Sequence, residues 1–306
     1  MTLVVSGIGV LTPGQLGAAE EGWFDYRREL GPRGYKYLPP ASRYLLAATK
    51  RALADSGQSP ESVPDEARAA AVGTNSAASA LHAEMDATVI GTNASALSPA
   101  IAPFFSINLF GSRLATEHGL KGFNLTLTSP RVAGLEAVQH GARSVGLGRA
   151  SWLLAGAAEA ALDPAEPGAD SSETGAVALV FEQADAVSAR DGKAYGRCRA
   201  RTSFLPPDRA GPELAAELVR GALAAFGLTT DRMPPVRAVL DDSPVGDAFA
   251  AVLTGAVTRV EAGAGCLEPM VQVADALAGL PEDGSAEQLV GVAAAQGNVA
   301  FALLTS

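Results

Sequence analysis

The chain has 306 residues, of which 48% are hydrophobic and 18% charged, a balance typical of a globular protein with a large core. The formal net charge is −10 and no dense block of lysine or arginine occurs, so nucleic acid is not expected as a partner. The two cysteines are too few for a disulfide framework, and no apolar run reaches the ~18 residues of a membrane span. We expect a cytoplasmic protein that has no membrane contact, metal or cofactor.

Apolar, β-branched runs alternate with helical patterns along the chain. Strands are predicted at residues 3–11, 69–73, 124–128, 152–155, 176–181, 236–240, 288–292 and 299–304. Helices are predicted at residues 42–56, 104–118, 132–145, 212–226, 245–254 and 269–277. This alternation predicts an α/β fold with layered, mostly buried sheets.

One segment interrupts the pattern near the middle of the chain. Residues 163–173 are rich in Pro, Ala, Asp, Glu and Ser, and they separate residues 1–162 from residues 174–306. Each part contains both strands and helices, which suits a duplicated βαβ architecture packed as one compact domain. The two parts show no convincing sequence similarity to each other, so the sequence alone does not reveal a repeat.

The most informative motif occupies residues 97–134, which read LSPAIAPFFSINLFGSRLATEHGLKGFNLTLTSPRVAG, and continues to WLLAGAAE at residues 152–159. These residues resemble the nucleophile region of the β-ketoacyl synthases. The segments VVSGIGVLTP at residues 4–13 and GAVALVFE at residues 175–182 match further strands of that family in the same order. The resemblance covers almost the whole chain. It implies a thiolase-like layered αβαβα fold built from two similar halves.

The positions that carry the family's chemistry are different in this chain. The resemblance places Arg131 at the cysteine nucleophile, Arg259 at a lysine and Ala264 at a histidine. The loop that should carry the other histidine reads DDSPVGD, and the gate segment at residues 293–298 reads AAAQGN. A guanidinium stays protonated and cannot attack a thioester, so we expect this chain to have no catalytic residue and no catalysis of its own.

Other reactive side chains have structural interpretations. Ser129 would need a general base to act as a nucleophile, and a serine in a turn or helix cap is favoured instead. We interpret Cys198, Cys266, His118 and His140 as structural residues. An arginine at the start of a helix opposes the helix dipole, which favours an acidic partner for Arg131, with the binding of an anionic ligand as the alternative. The candidate partners are Glu117, Glu159, Asp241 and Asp242.

A ketosynthase-like chain without its catalytic residues most resembles the chain-length factor of type II polyketide synthases. The resemblance implies a heterodimer with an active ketosynthase subunit, which elongates a polyketide or polyene on an acyl carrier protein. It also implies that one segment borders the shared interface and the acyl tunnel, with simple packing in the dimer core as the alternative. The residues of this segment are Ile101, Phe104, Phe105, Ile107 and Asn108.

Two other functions remain open from the sequence. The first is a homodimeric thiolase-fold pseudoenzyme that acts as a scaffold for an acyl chain or a carrier protein. The second is an enzyme whose chemistry has been relocated. An acidic carrier would gain little from long-range attraction to this acidic chain, so its contact would need locally clustered basic residues or a basic surface on a second subunit.

Overall fold

The computed structural model describes residues 2–16, 22–58, 60–281 and 284–306. In this part of the chain ten strands form two five-stranded sheets, in the orders β1-β5-β4-β2-β3 and β6-β10-β9-β7-β8. The strands are β1 (Leu3–Leu11), β2 (Arg68–Gly73), β3 (Asn124–Leu127), β4 (Trp152–Glu159), β5 (Gly175–Gln183), β6 (Arg197–Phe204), β7 (Val236–Leu240), β8 (Val257–Glu261), β9 (Glu287–Ala293) and β10 (Asn298–Thr305).

The helices lie between the sheets and on their outer faces. They are α1 (Pro13–Leu16), α2 (Tyr26–Glu29), α3 (Pro40–Ser56), α4 (Ser79–Gly91), α5 (Leu109–His118), α6 (Ala133–Gly146), α7 (Ala184–Ala189), α8 (Pro212–Phe226), α9 (Pro244–Ala250) and α10 (Leu267–Ala278). Helices α6 and α10 pack between the two sheets. Helices α3 and α5 cover the first sheet, and α8 and α9 cover the second. These five layers confirm the predicted thiolase-like αβαβα fold.

The two sheets have equivalent strand orders, because each strand of the first sheet corresponds to the strand five places later in the second. This correspondence shows the two similar halves that the sequence did not reveal. The predicted division at residues 163–173 stays a prediction. Strand β5 follows that segment along the chain but lies between β1 and β4, so the first sheet includes a strand from the segment assigned to the second half.

Close packing in the middle layer fixes how α6 meets α10. The side chain of Met270 on α10 lies directly against the backbone of Gly134, and a Cβ atom at that glycine would overlap it. A larger residue at position 134 would therefore push the two central helices apart. Because α6 begins at the end of the turn that carries Arg131, this contact also fixes the position of that turn.

The helix predicted at residues 104–118 starts earlier than the observed helix α5 (Leu109–His118). Residues Ala102–Phe105 form a 3-10 helix, Ser106 is extended, and α5 begins only at Leu109. The Ser106 hydroxyl donates to Asn108 Oδ1 at 2.5 Å, and such local side-chain hydrogen bonds compete with helix formation. The segment proposed to border an acyl tunnel is therefore a turn in front of a helix.

The sequence pattern also missed α4 and β8. Met85 is the buried residue of α4, so this helix has no continuous apolar face that would produce a helical period. Strand β8 is an edge strand with mostly exposed residues, which gives it no apolar run. None of the helices formed by the described residues has the length and apolar character needed to cross a membrane.

Candidate functional site

The turn between β3 and α6 has an unusual backbone. Arg131 has a φ angle of +59°, which lies in the left-handed region that residues with a side chain rarely adopt. Asn75 holds this turn from the end of β2. Its side-chain amide donates to the carbonyls of Thr128 at 2.9 Å and Ser129 at 3.2 Å, and its Oδ1 accepts from the Arg131 N–H at 3.2 Å. These bonds stabilise a strained backbone conformation at the predicted nucleophile position.

The Arg131 side chain crosses from the first half of the fold to the second. Its Nη1 donates to Asp241 Oδ2 at 2.5 Å and to the carbonyl oxygen of Ala293 at 2.8 Å. Its Nε and Nη2 both donate to the carbonyl oxygen of Gly263, at 3.3 and 3.1 Å. Only 12% of the side chain is exposed. One guanidinium therefore connects the loops that follow β7 and β8 with the end of β9.

Asp241 is the acidic partner, so the predicted ion pair of Arg131 is confirmed. The carboxylate also accepts from Ser243 Oγ at 2.5 Å and from the Ala295 N–H at 3.0 Å. Partial burial raises the pKa of Asp241, but the hydrogen bonds from Arg131 and Ser243 outweigh this effect and lower its pKa overall. Asp241 is thus ionised at neutral pH and has donors on both oxygens, which leaves it poorly suited to act as a general base.

The other predicted partners of Arg131 are engaged elsewhere. Glu117 pairs with Arg113 at 2.9 Å on α5, and Asp242 pairs with Arg259 at 2.5 Å. Arg259 also donates to the carbonyl oxygen of Asp241 at 3.2 Å, so it lies at the outer rim of the same site. The Arg259 side chain is 46% exposed, whereas that of Arg131 is only 12% exposed.

The gate segment contributes backbone groups to the site. The carbonyl of Ala293 and the N–H of Ala295 bind Arg131 and Asp241 respectively. The N–H of Ala264 donates to the carbonyl of Ser171 at 2.8 Å, and its methyl side chain supplies no acid, base or nucleophile. The assignment of Arg131, Arg259 and Ala264 to the family's catalytic positions stays a prediction.

The last predicted partner of Arg131, Glu159, is a buried carboxylate that is also engaged elsewhere. Glu159, at the end of β4, accepts from the N–H groups of Asn75 at 2.8 Å, Ser76 at 2.6 Å and Cys266 at 2.9 Å. It therefore connects the loop after β2 to the start of α10. The motif GAAE placed Glu159 at a strand end, but its hydrogen-bond partners lie about 80 and 107 residues away along the chain, where no local pattern reveals them.

A second carboxylate, Glu173, lies close to Glu159, and both side chains contact Gly265. It accepts from the N–H groups of Leu267 at 2.8 Å and Glu268 at 3.0 Å, at the beginning of α10. Burial is the main cause that raises the pKa of Glu173 to about 7, and the nearby negative charges add to it. This carboxyl group consequently changes its charge near neutral pH.

The two cysteines have the buried environments that the sequence suggested, and His118 and His140 lie on the predicted helices. Cys198 and Cys266 are both buried. Burial raises the pKa of Cys198 to about 12 and that of Cys266 well above its usual value, so neither forms a thiolate at neutral pH. His118 lies at the end of α5, where burial lowers its pKa, and His140 lies within α6. Among the described residues, no group of three or more His, Cys, Asp or Glu side chains could hold a metal ion.

The five predicted tunnel residues lie in the 3-10 helix Ala102–Phe105 and on both sides of it. Phe105 is 73% exposed, and its ring centroid lies 5.8 Å from that of His82 on α4. Two further apolar side chains of α4 are exposed, Ile90 at 86% and Val89 at 40%. Ile101 and Phe104 are half-buried, Ile107 packs against the outer core of the first sheet, and Asn108 is exposed. We refer to the exposed apolar side chains of Phe105, Ile90 and Val89 as the α4 patch, because Val89 and Ile90 lie on the helix whose His82 ring neighbours Phe105.

Comparison with known proteins agrees with this architecture. The sequence model of the family described as "Beta-ketoacyl synthase, N-terminal domain" matches residues 14–200. The enzyme 3-oxoacyl-[acyl-carrier-protein] synthase 2 of Rhizobium meliloti (strain 1021) is 28% identical over 145 residues, which cover 47% of this chain and 34% of the relative. The protein of the same name from Vibrio cholerae serotype O1 is 26% identical over 141 residues, covering 46% and 34% respectively. The matched region thus spans about a third of the length of these relatives.

Solved structures show the same fold at low sequence identity. One is a type II PKS acyl-carrier protein in complex with its ketosynthase bound to the hexaketide, with a TM-score of 0.78, 16% identity and coverage of 99% of both chains. Another is the ishigamide ketosynthase/chain length factor, with a TM-score of 0.77, 22% identity and coverage of 99% of both chains. The family match extends over more than half of this chain, and the thiolase-like fold agrees with it. The chain therefore belongs to the β-ketoacyl synthase family.

Proposed function

We propose that this chain is a catalytically silent ketosynthase-like subunit of the chain-length-factor type. It would pair with an active ketosynthase and shape the acyl tunnel during polyketide or polyene elongation on an acyl carrier protein. The observation that carries the proposal is the Arg131 side chain, which takes the predicted nucleophile position and is bound by the loops after β7 and β8 and by the end of β9.

The chemistry of the site supports the proposed absence of catalysis. Condensation of acyl thioesters needs a nucleophile that a base can activate and donors that stabilise an oxyanion or enolate. At this site the guanidinium cannot be deprotonated, and its donors are bound to Asp241 and to two backbone carbonyls. An incoming thioester would have to displace these internal hydrogen bonds and would meet no nucleophile.

The α4 patch supports pairing with a second subunit. Phe105, in the segment expected to border a shared tunnel, and Ile90, on α4, are large apolar side chains that expose most of their surface. Covering such side chains removes apolar area from water, which favours association by roughly 25 cal/mol per Å². The ishigamide structure is described as a ketosynthase/chain length factor, which makes a related ketosynthase a reasonable partner for this chain.

Co-expression with a ketosynthase that retains Cys, His and His tests the pairing. A chain of the proposed type should purify with that ketosynthase as a 1:1 complex by native mass spectrometry. A stable homodimer that does not bind the ketosynthase would favour the scaffold function instead. Turnover of malonyl or acyl thioesters by the isolated chain would favour relocated chemistry.

A pair of substitutions tests the tunnel role in the purified complex. Phe104→Ala and Phe105→Ala should each lengthen the products by removing a rigid ring from the tunnel border. Phe204→Ala is the matched control, because Phe204 is also exposed, at 55%, but lies on β6 of the second sheet. Unchanged product lengths for both tunnel variants, in a complex that still forms, would contradict the tunnel role.

A further inference from the structure

Strand β6 has an edge that the second sheet leaves open. Within the sheet it pairs with β10 alone. At its beginning β1 crosses this edge, where the Val5 N–H donates to the Gly196 carbonyl at 2.8 Å. At its far end the Thr202 N–H donates to Gln139 Oε1 of α6 at 2.6 Å. Alternate residues of a strand direct their backbone N–H and C=O groups to the same edge. Cys198 and Ala200 lie between Gly196 and Thr202 in this alternation, so their backbone groups face the open edge.

A groove runs along this open edge and has an apolar floor. Its volume is about 300 Å³, and its lining includes Cys198, Ala200, Leu3 of β1, and Ala142 and Val145 of α6. This volume accommodates a few residues of extended chain. Backbone donors and acceptors on one side and small apolar side chains on the floor are the features by which an added strand is recognised.

The outer face of β6 carries a row of positive charge. Arg197, Arg199 and Arg201 alternate with residues that face the central core, and all three are exposed. Arg199 is held in place, because it donates to the Phe226 carbonyl at the end of α8 at 2.7 Å and stacks over the Phe226 ring at 5.2 Å. The ion pairs found among the described residues include neither Arg197 nor Arg201.

We propose that a short extended peptide segment with alternating acidic and small apolar residues adds as a strand to the open edge of β6. In that position its acidic side chains would lie beside the three arginines as cross-strand pairs. Its apolar side chains would enter the groove against Ala142 and Val145. The Gln139 bond at Thr202 limits the length of the added strand. Charge explains the choice of an acidic partner, because a chain with a net charge of −10 attracts acidic segments only where its cations are clustered. This site is independent of the proposed tunnel role.

The test uses the full chain and a fluorescent peptide, Glu-Val-Glu-Val-Glu, in an anisotropy titration at low ionic strength. The comparison peptides are Lys-Val-Lys-Val-Lys and a Glu-Val-Glu-Val-Glu whose valine N–H groups are methylated. The protein variants are Arg197→Glu/Arg201→Glu and the matched control Arg28→Glu/Arg33→Glu. The control changes the net charge equally at exposed arginines of the first half. Circular dichroism and thermal unfolding establish that each variant is folded.

The expected result is binding of the acidic peptide, at least tenfold weaker binding of the basic one, and a loss of at least tenfold on methylation. The Arg197→Glu/Arg201→Glu variant should lose at least tenfold in affinity, and the control less than threefold. Equal binding of acidic and basic peptides overturns the proposal, as does no binding at all. Binding that depends on the arginines but survives methylation also overturns it, because an added strand needs its backbone donors.

Discussion

The ion pair between Arg131 and Asp241 allows a quantitative test of how the site around Arg131 is held together. Their side chains are 12% and 22% exposed, so solvent screens the pair only in part. Arg131→Ala removes a charge-assisted bond to Asp241 and leaves the carbonyls of Gly263 and Ala293 without that donor. Charge-assisted bonds contribute about 1.5–3 kcal/mol and neutral ones about 1 kcal/mol. We therefore expect a loss of about 3 kcal/mol in the free energy of unfolding.

A double-mutant cycle isolates the pair itself. Arg131→Ala, Asp241→Ala and the double variant are compared by urea unfolding, and the coupling energy should be about 1.5 kcal/mol. The matched control is the cycle of Arg259→Ala and Asp242→Ala, whose side chains are 46% and 99% exposed. Exposed pairs contribute little, so that coupling should stay within about 0.5 kcal/mol. Equal couplings in the two cycles would refute the conclusion that Arg131 holds the site together.

The backbone angle of Arg131 gives an internal check on the same position. Its φ of +59° is strained for alanine but not for glycine. Arg131→Gly loses the same side-chain contacts as Arg131→Ala but relieves this strain. The glycine variant should therefore be more stable than the alanine variant by about 1 kcal/mol. A glycine variant that is less stable than the alanine variant would show that the turn is not strained.

Three further predictions follow from the pKa shifts and the buried groups. The pKa of Glu173 rises from 4.5 to about 7 on folding, so the folded state binds more protons between these values and stability should fall by about 1–3 kcal/mol as the pH rises through that window. Glu173→Gln should remove this dependence in urea unfolding at pH 5 and 8; an unchanged slope would contradict the burial of this group. Asp241 contributes in the opposite direction, because folding lowers its pKa. Its contribution to stability is fully present above the pKa that it has in the unfolded chain, and it is lost as the pH falls through the lower pKa of the folded state. Arg131→Ala should diminish this loss in acid unfolding curves. Cys198 and Cys266 should resist a thiol reagent at pH 8 in the folded protein and react in urea, and rapid reaction of either in the native state would show that burial does not protect it.

The sequence predicted the strand and helix framework well where burial imposes a pattern. Strand β7 was predicted with its observed bounds, Val236–Leu240, because all but one of its residues are buried. Helix α8 begins after Gly211 and ends before Gly227, and these two glycines allowed the sequence to predict its bounds. Exposed elements such as β8 were missed because nothing selects apolar residues there.

The site could be predicted only in part. The motif located Arg131 in the turn, and helix electrostatics predicted an acidic partner, but four carboxylates fitted that requirement equally. Which of them pairs with Arg131 depends on the packing of the two halves, and no local pattern reports it. Asn75 was missed for the same reason, since its role depends on the parallel pairing of β2 with β3.

The contacts of Arg131 have a consequence for the order in which the protein folds. They join residues 110, 132 and 162 positions apart along the chain. During synthesis the turn at Arg131 leaves the ribosome long before Asp241, Gly263 and Ala293 exist, so the guanidinium cannot reach its native partners in the first half alone. Contacts of such long range form late and slowly, because much of the chain must already be ordered before they can close. The site around Arg131 is therefore among the last parts of the molecule to be completed, and its formation reports that both halves have docked.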